Sequence, residues 1–196
     1  MRRIDKPSTS EIISKSIIYK VKGSNKKLAS ILCTEQYNIC AYTETYLGRT
    51  DKKDIDHFNP TLKGKPSDSY ENWFLVKSQW NSEKSNKWSL FQPILSPTAL
   101  DFADRVIYSD YGYYPSKSTD DEAVNLIRLL KLDDPLLEGT RKRYIKRMKR
   151  DIDISDKAPQ QFFDDLLVED RDAVYFIRAI EEEFNIRVNF DLLNHK

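Results

Sequence analysis

A chain of 196 residues with 39% hydrophobic and 12% aromatic side chains is long enough to bury a core, while 32% charged residues and a mean hydropathy of −0.66 exclude a membrane-embedded body. No apolar run approaches the roughly 20 residues of a membrane span, and the basic start Met1-Arg2-Arg3 leads into no apolar stretch of the signal-peptide kind. Cys33 and Cys40 are too few for a disulfide framework or a four-cysteine zinc site, so a reducing, cytoplasmic setting is expected.

Net charge is +1, unevenly spread. Residues 151–196 carry 5 basic and 12 acidic side chains, a net of −7, and residues 1–150 carry 27 and 19, a net of +8. Such a body suits phosphates and such a tail suits a partner, although two solvated faces of one fold explain the tail more simply.

In chain order, Ser10-Glu11-Ile12-Ile13 through Ile18 reads as a helix, and a second is expected from near Asn25 to Gln36, with Leu28, Ile31 and Leu32 on one face. Residues 40–76 turn β-branched and aromatic, which predicts short strands joined by the polar loop Lys63-Gly64-Lys65-Pro66-Ser67-Asp68. A short helix is expected from Asn81 to about Leu90. Pro93 and Pro97 mark a linker, which divides the chain into residues 1–92 and a mostly helical 93–196. Val106-Ile107-Tyr108 and Tyr111–Pro115 suggest a small strand pair. Thr119-Asp120-Asp121-Glu122 caps a helix bearing Ala123, Leu126, Ile127 and Leu130, and Pro135 opens another that runs to about Arg150. Two more helices are expected over 158–168 and 170–184.

The chemistry concentrates between Asp54 and Lys84. One of only two histidines, His57, follows a carboxylate in a β-like run, Asp54-Ile55-Asp56-His57, and Asn72 and Asn81 come after it. A carboxylate to hold a divalent cation, an imidazole to activate water and an amide oxygen to complete the metal's shell are what metal-assisted phosphodiester cleavage needs. Strand alternation puts Asp54 and Asp56 on one face and His57 on the other, so a shared site requires the strand to end or twist at Phe58-Asn59-Pro60.

Asp56-His57, Asn72, Asn81 and Lys84 at these spacings resemble the HNH, or ββα-metal, nucleases. The resemblance implies an α+β fold with a ββα core flanked by helices. It also implies that His57 is the general base, that Asp56 and Asn81, assisted by Asp54, hold Mg2+ or Mn2+, that Asn72 orients His57 across the loop, and that Lys84 approaches the scissile phosphate. Cys40-Ala41-Tyr42-Thr43-Glu44 is similar to the lead-in of such proteins. Members with a zinc ribbon carry two Cys-x-x-Cys pairs; this chain keeps Cys40 but has Thr43, Lys77 and Trp80 at the other three places, so no structural zinc is expected. The Met1–Lys6 start and the helical segment ending in Arg141 resemble the HNH effectors of Septu and retron-type anti-phage systems, which implies nucleic acid, DNA ahead of RNA, as substrate and an ABC-type ATPase as a partner. Oligomerisation is left open.

Blander readings compete. An isolated histidine belongs more often to a core or a loop, and Trp73, Trp80 and Trp88 are core residues more often than base platforms. His195 reads as solvated. Arg141 through Arg150 holds seven basic residues in ten, with Tyr144, Ile145 and Met148 at helical spacing. Arg143, Lys146, Arg147 and Arg150 are the candidate phosphate contacts, against a merely solvated face. The rival to a nuclease is a non-catalytic interaction subunit that uses the same fold as a scaffold.

Overall fold

The computed structural model describes residues 1–195, with side chains to Leu193, so the expectation for the His195 side chain lies outside the described residues. The fold is mixed α+β, with two small antiparallel hairpins set among helices.

The first helix is only one turn, α1 (Glu11–Ser14), capped by the Ser10 hydroxyl, which accepts from the Ile12 amide at 3.1 Å. The expected run to Ile18 stops because Ser16 adopts a left-handed backbone, and Ile18 stays exposed. Helix α2 (Lys26–Glu35) matches its expected span and buries Leu28 and Leu32.

Strands β1 (Lys53–His57) and β2 (Trp73–Lys77) pair antiparallel, with Asp54 opposite Val76, Asp56 opposite Phe74 and His57 opposite Trp73. The 58–72 connection is pinned at both ends by short 3-10 turns, Pro60–Leu62 and Tyr70–Asn72. Helix α3 (Ser78–Lys84) follows β2 directly and packs on both strands. It starts three residues earlier than expected, and from Ser85, in a left-handed conformation, the chain tightens into a 3-10 run to Leu90.

One-turn α4 (Phe102–Arg105) leads into the second hairpin, β3 (Val106–Ser109) and β4 (Gly112–Pro115). Asp110 and Tyr111, both at positive φ, make its two-residue turn, the twist that suits a tight hairpin. Helix α5 (Asp121–Leu130) is capped by the Asp120 carboxylate, which accepts from the Ala123 amide. Helix α6 (Pro135–Ser155) starts on Asp134, whose carboxylate accepts from the Leu136 and Leu137 amides, and it outruns the expected end by five residues. Helix α7 (Pro159–Glu169) is close to expectation. The helix expected over 170–184 is split: a 3-10 turn, Arg171–Ala173, an extended stretch, then α8 (Ile177–Phe184). Buried Val174 and Phe176 explain the break. Phe176 is left-handed and gives its amide to the Glu44 carbonyl at 2.8 Å rather than to a helical neighbour.

Two apolar clusters form. The first runs from Met1 to Leu132 and gathers Leu28, Leu32, Tyr42, Phe74, Leu95, Phe102, Tyr113 and Leu126, so residues on both sides of the Pro93–Pro97 stretch share it. The second is built from α6, α7 and α8 with Ile39, and Trp80 and Tyr108 touch both. Buried Glu44 stitches the two together. Its carboxylate accepts from the Arg178 amide at 3.2 Å and from the Tyr113 hydroxyl, and it lies 3.1 Å from the Met1 amine. Burial alone would raise the Glu44 carboxyl, but the Met1 ammonium, Tyr113 and Arg141 outweigh it and bring it down to about 2. No described helix is long and apolar enough to cross a membrane.

Candidate active site

The hairpin and α3 place the residues from Asp54 to Lys84 in two groups. On the face covered by α3, Asn81 Nδ2 donates to Asp54 Oδ2 at 3.1 Å. One turn on, Lys84 Nζ reaches Asp56 Oδ1 and Oδ2 at 2.7 and 2.6 Å and the His57 carbonyl at 2.6 Å. The Tyr42 hydroxyl also donates to Asp56 Oδ2. Asp56 and Lys84 are 4% and 2% exposed, so this is a buried pair with every donor of the ammonium used. Burial pulls the Lys84 pKa below its ordinary value and Asp56 opposes that pull, while burial and then Asp56 push the Tyr42 hydroxyl well up. No hydrogen bond joins Asp56 to Asn81 among the described residues.

His57 faces the other way. The β1 ladder does not break at Asp56-His57; Phe58 still donates its amide to the Asn72 carbonyl at 2.9 Å, so alternation holds and the imidazole points away from Asp56. There it is 3% exposed, under the edge of the Tyr19 ring at 4.4 Å between centroids. Nε2 lies 3.0 Å from Asp68 Oδ2, but off the hydrogen-bonding axis, so that buried nitrogen has no hydrogen-bond partner. Burial lowers the imidazole pKa, with Asp68 pulling upward and Lys63 downward, which leaves the ring neutral at pH 7. Asn72 holds the loop beneath it: Oδ1 accepts from the Asn59 amide at 2.7 Å, and Nδ2 donates to the Asn59 carbonyl at 3.1 Å and to Asp68 Oδ1 at 3.0 Å. Trp73 Nε1 donates to the same Asp68 oxygen at 2.8 Å.

A cleft of about 480 Å³ runs along the free edge of β1, lined by Asp54, Asn81, Tyr19, Lys26, Lys53 and Lys63. It gives solvent access to Asp54 and Asn81, and Tyr19 separates it from His57. Among the described residues no three His, Cys, Asp or Glu side chains converge as a ready metal cage.

Asp68, Tyr42 and Tyr19 escaped sequence reasoning. The signal for Asp68 was its place four residues before Asn72, which binds it; Tyr42 and Tyr19 lie far enough along the chain that no local pattern marks them. Elsewhere, both cysteines are free, and Cys40 Sγ accepts from the Lys77 amide at 3.4 Å, with Trp80 partly buried between the two clusters. Of the basic run, Arg143, Lys146, Arg147 and Arg150 are exposed on α6, whereas Arg141 is fully buried, 4.5 Å from the Tyr113 ring and donating to the Tyr111 carbonyl. Lys149 is taken by Glu183 of the acidic segment at 2.7 Å. No family model matches the chain, and neither does a curated protein or a solved structure.

Proposed function

We propose that the chain is a metal-dependent HNH-type endonuclease that hydrolyses nucleic-acid phosphodiesters, DNA ahead of RNA, as an anti-phage effector acting beside an ABC-type ATPase. One observation carries the reading. Helix α3 returns to the Asp54/Asp56 face of the hairpin, so side chains 27 and 28 positions apart meet there, Asn81 on Asp54 and Lys84 on Asp56. A hairpin whose last β1 residue is a histidine, followed by a helix bearing an amide and an ammonium, is the ββα order that the motif implies. The meeting of Cys40 with Lys77, two of the four positions a zinc ribbon would occupy, supports the same topology.

The donor chemistry fits a hard divalent ion. Asp54, Asp56 and the Asn81 amide offer oxygens and no soft atom, and Asp54 and Asn81 open on the cleft. Mg2+ or Mn2+ held there supplies charge stabilisation for the phosphate oxygens and the departing 3′-oxygen. The chain's own groups do the rest. A carboxylate beside Nε2 favours the tautomer with its proton on that nitrogen, so the His57 lone pair lies on Nδ1, ready to take a proton from water. Asn72 and Trp73 fix Asp68, which keeps its charge beside the ring. Tyr19 sets water's access, and it stands in a stretch outside regular structure, between α1 and α2. Structural zinc has no part in this reading.

The rival reading, a non-catalytic interaction subunit, is favoured by one observation: both oxygens of Asp56 are bound by Lys84. Incubating the purified protein, alone and with a co-encoded ATPase, with plasmid and total RNA in Mg2+ and then in EDTA separates the two. Nuclease action gives Mg2+-dependent fragments; a scaffold gives none under any condition.

A further inference from the structure

Lys84 is oddly placed for a group whose expected task is to meet a phosphate. It is 2% exposed, and its three donors go to Asp56 Oδ1, Asp56 Oδ2 and the His57 carbonyl at 2.6–2.7 Å. With the Tyr42 hydroxyl added, the Asp56 carboxylate is ringed by donors. A carboxylate so engaged has no free oxygen to give a divalent ion, and two positive charges within about 3 Å of it repel one another strongly at the effective dielectric of a partly buried site. The neighbouring donors are differently disposed: Asp54 and Asn81 bind each other and line the cleft. The part of the site open to solvent is thus separate from the part that is closed.

We propose that Lys84 is a built-in counter-cation that excludes a divalent metal from Asp56, and that a phosphodiester in the cleft opens the site by drawing Lys84 off. This rests on the nuclease reading above. Metal and Lys84 compete for one carboxylate, so the apparent metal affinity is the intrinsic affinity scaled by the fraction of molecules in which Lys84 has left. A phosphate that holds the displaced ammonium raises that fraction. By linkage, nucleic acid then tightens metal binding and metal tightens nucleic-acid binding by the same factor. Without nucleic acid the protein stays metal-poor at Asp56.

The test is Mn2+ binding followed by electron paramagnetic resonance, with no nucleic acid and hence no activity in the readout. Lys84→Met is expected to bind Mn2+ at least about tenfold more tightly than wild type, on the basis that the open form is a tenth or less of the population. Asp56→Asn added to Lys84→Met is expected to abolish that tight binding. Unchanged or weaker binding by Lys84→Met, with Asp56→Asn alone binding less Mn2+ than wild type, overturns the exclusion while leaving the metal site intact. Tight Mn2+ binding kept by the Lys84→Met, Asp56→Asn double variant puts the ion elsewhere and overturns the nuclease reading itself. Because Lys84→Met strands a buried carboxylate and can fail to fold, a second measurement uses a protein with Lys84 in place. His57→Ala is titrated with Mn2+ with and without a phosphorothioate oligonucleotide. The oligonucleotide is expected to tighten Mn2+ several-fold, and no change overturns the proposal.

Discussion

Asn72 clasps Asn59 from both sides, taking its amide at 2.7 Å and giving to its carbonyl at 3.1 Å, and so closes the base of the 58–72 loop. The same side chain steadies Asp68, the carboxylate that faces His57. Replacing Asn72 by Ala removes three hydrogen bonds and leaves half-buried Asn59 backbone groups without these partners. The expected cost is about 2–4 kcal/mol, read as a shift of the urea midpoint at unchanged slope. A shift worth less than about 0.5 kcal/mol, the range of ordinary surface substitutions, would show that the clasp contributes nothing.

Stability is expected to rise with pH above neutrality, through Lys6. Its ammonium donates to the Trp73 carbonyl and sits 4.3 Å from the Tyr70 and Phe74 rings. Burial, opposed by Glu71 and Glu35, brings its pKa from 10.5 down to about 7. Between about 7 and 10.5 the unfolded chain therefore binds more protons than the folded one. The free energy of unfolding rises across that window and carries the full penalty below it. Melting temperatures from pH 7 to pH 10 are expected to climb, and Lys6→Met is expected to flatten the climb. An equal slope in the variant would place the titrating group elsewhere.

The exposed face of α6 is a separate question. If Arg143, Lys146, Arg147 and Arg150 follow a nucleic-acid backbone, neutralising them weakens binding without sequence preference, and the log–log salt slope falls by about 0.7–0.9 per lost contact. Fluorescence anisotropy over a salt series reads this directly. Identical slopes for wild type and the fourfold variant would mean a solvated face, with substrate held by the β1 cleft and its three lysines.

Much of the frame was legible in the sequence because it is written in local signals. Asp120 caps its helix and Pro135 opens the next where the sequence placed them, and the strand pair at 106–115 follows from its aromatic runs and turn. The hairpin from Asp54 and the helix after it were equally readable. What failed to show depends on distant partners. Phe176 breaks the last long helix because Glu44, far away in sequence, accepts its amide. Alternation correctly put Asp56 and His57 on opposite faces, but only the structure shows that Phe58 keeps the ladder going, so the twist a shared site requires does not occur at that point. The engagement of Asp56 by Lys84 and the shielding of His57 by Tyr19 depend on packing, which periodicity does not encode.

The most direct measurement is cleavage of supercoiled plasmid in Mg2+ by wild type and by His57→Asn, which keeps a polar side chain of similar breadth in the buried slot beneath Tyr19. Loss of a positioned general base is expected to reduce the rate by about 10²–10⁴, with melting temperature and oligonucleotide binding close to those of wild type. Cleavage by the folded variant at the wild-type rate would contradict the assignment of His57 and, with it, the account of this site as a nuclease centre.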